Sequence, residues 1–161
     1  MSTRYVTKRD DRDWLELRCA LWPEGSRDEH RKEIESFLGG TAREPQAVLI
    51  AERDGRVVGL AELSIRPHAE GCSSDRVAFL EGWYVVPEFR RVGVGRELVE
   101  AAEQWAVGEG CSEFGSDTPI DNEVSTAAHR DCGFVEVGVI RCFRKELPNN
   151  ALQRTLEDSR R

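Results

Sequence analysis

The chain has 161 residues, 39% of them hydrophobic and 33% charged, with a formal net charge of −7. That length fits one domain with a real core, and no apolar run approaches the ~20 residues of a membrane helix. The acidic balance excludes non-specific nucleic-acid binding, which needs basic residues to displace counterions from phosphates, and it is compatible with a cationic partner.

The start, "MSTRYVTKRDDRDW", carries charge but no apolar signal-peptide region. Cys19, Cys72, Cys111, Cys132 and Cys142 are odd in number and lack a Cys-x-x-Cys pair. The sequence therefore predicts a cytoplasmic protein with reduced thiols and no metal site.

"YVT" at 5–7 reads as a short strand, followed by a helix with Trp14, Leu17 and Leu21 at helical spacing that ends at "LWPEG". A second helix is expected from Asp28 to Leu38, stopped by "GG". In "AVLIAERDGRVVGLAELSI" two β-prone runs flank Asp54-Gly55, a favoured hairpin turn, which predicts strands at 46–53 and 56–65. "RPHAEGCSSD" is a polar loop, and "RVAFLEGWYVV" is a third long strand ended by Pro87. "GVGRELVEAAEQWAVGEG" predicts a helix with Leu98, Ala102 and Trp105 on one stripe, closed by Gly108 or Gly110. "SEFGSDT" is a short strand, and "DNEVSTAAHRDCG" a helix with Asp121 or Asn122 as N-cap and Gly133 as terminator. "FVEVGVIRCFRKEL" predicts one or two final strands.

The expected fold is α/β, with a mixed sheet, helices on both faces and the order β-α-α-β-β-β-α-β-α-β-β. One domain covers 1–147, and 148–161 is a polar tail.

"EFRRVGVGREL" concentrates positive charge where a strand passes through a Gly-rich turn into a helix. First-turn N–H groups lack intrahelical partners and the helix dipole is positive there, so the turn suits an anion. Gly93 and Gly95 permit close backbone approach, while Arg90, Arg91 and Arg96 add charge-assisted donors; a solvated surface turn is the other reading. The pattern is neither Walker A nor a dinucleotide-binding Gly-x-Gly-x-x-Gly.

Arg90, Gly93 and Gly95 form Arg-x-x-Gly-x-Gly after "VVPEF" and a strand. This resembles the acetyl-CoA pyrophosphate loop of the GNAT N-acetyltransferases, and the resemblance runs through the element order and "DNEV…CGF" over residues 3–146. "LWP", "GC", "FLEG" and "SDT" resemble the aminoglycoside 6'-N-acetyltransferases within that superfamily. The resemblance implies that residues 90–96 (Arg90, Arg91, Val92, Gly93, Val94, Gly95, Arg96) hold the pyrophosphate. It also implies that the backbone of Trp83, Tyr84 and Val85 pairs with the pantetheine amides, that Asn122 contacts the pantetheine arm and that Trp22 lines the acceptor pocket. Asn122 reads equally well as an N-cap, and Trp22 as a core residue.

Strict alternation would put Val77, Phe79, Trp83 and Val85 on one face with Glu81 in their midst. A carboxylate there is either paired or used, and the functional reading is that Glu81 holds the substrate ammonium and takes its proton. Asp117, at the carboxyl end of the next strand, is the second acid, or else an Asx turn or helix cap. His129 occupies the position where many GNAT enzymes have a proton-donating Tyr, so it is a candidate general acid or a capped helix residue. His68 is a candidate substrate contact or a surface residue. With acetyl-CoA in the opening between the strands ending at Val86 and Asp117, the expected activity is acetyl transfer to the 6'-amine of an aminoglycoside in a ternary complex. Transfer to another amine, or a non-catalytic acyl-CoA-binding regulator, are the alternatives. The resemblance also suggests a homodimer joined through the C-terminal strands.

Overall fold

The structure, a computed structural model, describes residues 2–147, so the expected tail lies outside the described residues. In chain order it contains β1 (Ser2–Tyr5), α1 (Asp11–Leu21), α2 (Arg27–Leu38), β2 (Ala47–Arg53), β3 (Arg56–Arg66), β4 (Val77–Val85), α3 (Val94–Gly108), β5 (Phe114–Ser116) and α4 (Glu123–Asp131). The five strands form one sheet in sequential order, antiparallel from β1 to β4, with β5 parallel to β4.

Local chemistry explains the joints. Asp54 and Gly55 both take positive φ (51° and 73°), the geometry of a tight hairpin, and link β2 to β3. Ser26 caps α2 by accepting from the Glu29 N–H at 3.1 Å, and Glu29 returns the bond to the Ser26 N–H. Asn122, rather than Asp121, caps α4 by accepting from the Ser125 N–H.

Both faces of the sheet are covered. Ala47, Leu49, Ala51, Ala61, Leu63 and Leu80 pack against Val94, Leu98, Val99 and Ala102 of α3. Val48, Ile50 and Leu60 pack against Trp14, Leu15 and Leu17 of α1 and Ile34 of α2. Among the described residues no helix is long and apolar enough to cross a membrane.

Two expectations are corrected. Gly82 pairs with Glu62 but Leu80 pairs with Leu63, so Glu81 is an extra residue, a β-bulge. The bulge reverses the alternation: Val77 and Phe79 pack away from α3, whereas Trp83 and Val85 pack on the α3 side. Glu81 therefore leaves the Trp83 row and shares a face with Ser64 and Arg66, to which it bonds. The second correction concerns residues 134–147, which form no strand in the single chain. Their β-prone alternation finds no strand to pair with among the described residues.

Candidate active site

The parallel pairing of β4 and β5 lasts for three rungs, ending at Leu80 opposite Ser116. Beyond them the β5-side edge of β4 is open from Glu81 to Val85. The Val86 N–H donates to the Val58 carbonyl, so at the preceding pair, Gly59–Val85, the Val85 N–H and C=O point away from β3 into the opening. Trp83, two residues back, points its backbone groups the same way. Arg90 Nε donates to the Val85 carbonyl at 2.8 Å, and the Arg90 guanidinium lies 5.5 Å from the Tyr84 ring centre.

One end of the opening is cationic. Arg91 (φ 62°) and Gly93 (φ 93°) both adopt the left-handed region, which curls the loop into the start of α3. No side chain caps α3, so the first-turn N–H groups of Val94, Gly95 and Arg96 lack intrahelical acceptors. Arg90, Arg91 and Val92 are exposed, and Val94 is fully buried as the hook that seats the helix. Arg96 donates to the Asp131 carbonyl at 2.6 Å and ties the loop to the end of α4. Gly95 has a packing reason as well: a Cβ there would lie 2.9 Å from Trp83 Cζ2.

The other end is acidic. Glu81 and Asp117 follow the last β4–β5 rung at the same level, where the strands part. Glu81 accepts from Arg66 Nε at 2.8 Å, from Arg66 Nη2 at 2.5 Å and from the Ser64 hydroxyl. The Arg66 guanidinium sits 3.5 Å from the Phe79 ring centre. Its proton is held more tightly than usual, first by the hydrogen bonds to Glu81 and also by the charge of Asp117. Asp117 is exposed and has no ion pair among the described residues. Ser64 and Arg66 escaped the sequence reading; their signal is the polar alternation Glu62, Ser64, Arg66 in an otherwise apolar strand.

The remaining candidates separate. Trp22 lies over Gly82, where a Cβ would come within 2.7 Å of its Cη2. His68 is exposed on the loop after β3 and has Glu70 at 3.8 Å. His129 stands edge-on to Trp83 and Phe134, with ring centres 5.3 and 5.2 Å away. Its Nδ1 lies 2.7 Å from the Ser125 carbonyl, which needs a donor, so in the neutral ring Nε2 accepts from the Ser116 hydroxyl at 2.8 Å. Among the described residues no three His, Cys, Asp or Glu side chains gather as metal ligands.

The sequence pattern of the acetyltransferase (GNAT) family matches residues 12–134. The chain belongs to the GNAT family. A GNAT relative from Klebsiella aerogenes, aminoglycoside N(6')-acetyltransferase type 1, is 58% identical over 145 residues, covering 89% of this chain and 95% of the relative. The crystal structure of AAC(6')-Iy with CoA superposes at a TM-score of 0.84 with 37% identity, over 91% of this chain and 95% of that one. The same enzyme with the bisubstrate analogue CoA-S-monomethyl-acetylneamine gives 0.84 and 37%, over 91% and 98%. For a GNAT domain, the chemical content of the geometry is a single opening with anion donors at one end and two carboxylates at the other.

Proposed function

We propose that this chain transfers the acetyl group of acetyl-CoA to the 6'-amine of aminoglycoside antibiotics by direct attack in a ternary complex, and so confers resistance. The observation that carries this reading is the opening between β4 and β5, cationic at residues 90–96 and acidic at Glu81 and Asp117. The name and full-length match of the Klebsiella aerogenes relative support it.

Arg90, Arg91 and Arg96, with the N–H groups of Val92, Gly93, Val94 and Gly95, hold the pyrophosphate. The open backbone of Trp83 and Val85 pairs with the pantetheine amides beside Tyr84, the Asn122 amide reaches the pantetheine arm, and the Val85 N–H polarises the thioester carbonyl. Arg90 must release the Val85 carbonyl for that pairing to form.

A primary amine with a pKa near ~10 arrives as ammonium and must lose a proton before it attacks. Glu81, fixed by Ser64 and Arg66, orients it; Asp117, exposed and without an ion pair among the described residues, takes the proton directly or through water. The amine nitrogen then bonds to the acetyl carbon as the carbon–sulfur bond breaks, and its second proton leaves to water in the opening. His129, when protonated, returns a proton to the departing thiolate through the Ser116 hydroxyl. Trp22 stacks on a sugar ring, and His68 meets the far side of the acceptor.

The assembly is a homodimer in the cytoplasm. In the single chain Val135, Val137, Val139, Ile140, Phe143 and Leu147 are all exposed, and residues 135–147 make no backbone hydrogen bond to other described residues. A second copy supplies the missing strand partner.

The test is acetyl-CoA turnover with kanamycin, with tobramycin and with no acceptor. Both antibiotics are expected to be acetylated at the 6'-amine, and turnover no faster than without acceptor overturns the reading. Glu81→Gln and Asp117→Asn are each expected to cut kcat about 100-fold or more while CoA still binds. Unchanged turnover in both variants would point to other groups as the proton acceptors.

A further inference from the structure

On the α1/α2 side of the sheet lies a buried polar cluster to which the acetyl-transfer reading gives no task. Glu62, in the middle of β3, is 2% exposed and pairs across the sheet with Val48 and Gly82. It accepts a hydrogen bond from Trp14 Nε1 at 2.6 Å and faces Arg18 Nε at 3.0 Å. Arg18, on α1 and 8% exposed, reaches Glu33 of α2 at 2.6 Å with Nη1. Burial pushes the Glu62 carboxyl up to about 7 against the pull of Arg18 and Trp14. Desolvation on that scale offsets most of what such a pair adds to stability, and an apolar replacement is often as stable. Stability alone therefore does not account for the cluster.

Its geometry does. Arg18 and Trp22 stand four residues apart at the end of α1, joined by the Trp22 N–H to Arg18 carbonyl bond, and the guanidinium carbon is 5.1 Å from the indole centre. The His30 ring also stacks on the indole at 6.3 Å and 28°, with Nε2 3.2 Å from the Trp22 carbonyl. The indole rests on Gly82, the cross-strand neighbour of Glu62 and the residue after Glu81. One rung of the sheet thus holds both the anchor of Arg18 and the floor under Trp22. The two carboxylates pair with the guanidinium by charge, without hydrogen-bond geometry at Nε or Nη1, and the guanidinium carbon lies against the indole that covers Gly82.

We propose that Glu62 and Arg18 are positioning residues for the acceptor, which fix the Trp22 indole beside Glu81 and set affinity for the amino sugar without touching it. The proposal rests on the reading of Trp22 as an acceptor contact. It is tested by steady-state kinetics on Glu62→Gln, Trp22→Ala and the double variant, with thermal unfolding alongside. Glu62→Gln is expected to raise the kanamycin KM about tenfold, the scale of one desolvated cation–π contact, with the acetyl-CoA KM unchanged. Trp22→Ala raises the kanamycin KM at least as much, and the double variant matches Trp22→Ala alone.

Additive effects in the double variant, or equal rises in both KM values, overturn the positioning role while leaving Trp22 as a contact. A kanamycin KM unchanged in Trp22→Ala overturns the reading of Trp22, and the proposal with it. Should Glu62→Gln not fold, Arg18→Met replaces it in the same cycle with the same expected and overturning results.

Discussion

Arg66 and Glu81 bring opposite charges together at the acidic end of the β4–β5 opening, where the proposed acetyl transfer calls for an ammonium. Two parallel charge-assisted bonds and the Phe79 face leave the guanidinium one orientation, so the Glu81 carboxylate has one orientation too. Arg66→Gln is expected to lower kcat with kanamycin about tenfold or more, because positional freedom of the acid is lost rate. Arg66→Lys should rescue little of it, since an ammonium makes no bidentate pair. Stopped-time acetylation assays at saturating acetyl-CoA check both. That Glu81 in β4 and Asp117 at the carboxyl end of β5 stand together was legible in the sequence, because both acids lie in or just after β-prone runs that the element order makes neighbours. Arg66 was not, because its approach to Glu81 depends on the β3–β4 register. In the sequence Gly95 speaks only for anion access, since its contact with Trp83 depends on how α3 lies on β4.

Among the elements, β1 depends on a contact outside the sheet. Arg4 on β1 binds Asp10 with two bonds of 2.9 Å, and Asp10 also accepts from the Thr7 N–H and hydroxyl at 2.7 Å. The Arg4 hydrogen bond, more than any other group, holds the buried Asp10 carboxyl well below the usual carboxylate range. With the folded pKa depressed, the unfolded chain takes up the proton first as pH falls. The stabilisation is therefore complete above about pH 5 and fades as pH drops through and below about 4. Asp10→Asn is expected to cost about 2 kcal/mol at neutral pH, with the gap to the parent closing in acid. Urea unfolding across that pH range measures it, and a gap of constant size would contradict it.

The hairpin at Asp54-Gly55, the span of α2 and the Gly-rich start of α3 were legible because each depends on residues adjacent in sequence. The bulge was not, since one extra residue leaves composition and apolar pattern intact while exchanging the two faces. Residues 134–147 have β-prone alternation but form no strand in the single chain, because a strand needs a neighbour.

At the scale of the molecule, the proposed dimer provides that neighbour. Light scattering is expected to give twice the 18.2 kDa chain mass. Ile140→Asp with Phe143→Asp, at positions 63% and 89% exposed in the single chain, should yield folded monomers, because neither side chain supports the core of one copy. A parent protein of single-chain mass would overturn the dimer. The bulge has a further consequence for recombination among relatives. A crossover that joins this β4 to a β3 that pairs without the bulge, setting Glu81 opposite Glu62, would turn every later side chain of β4 to the opposite face, carrying Trp83 off α3 and Tyr84 into its place. β3 and β4 are therefore a single block of inheritance, and chimaeras joined within it should fail even where both parents share the residues on either side.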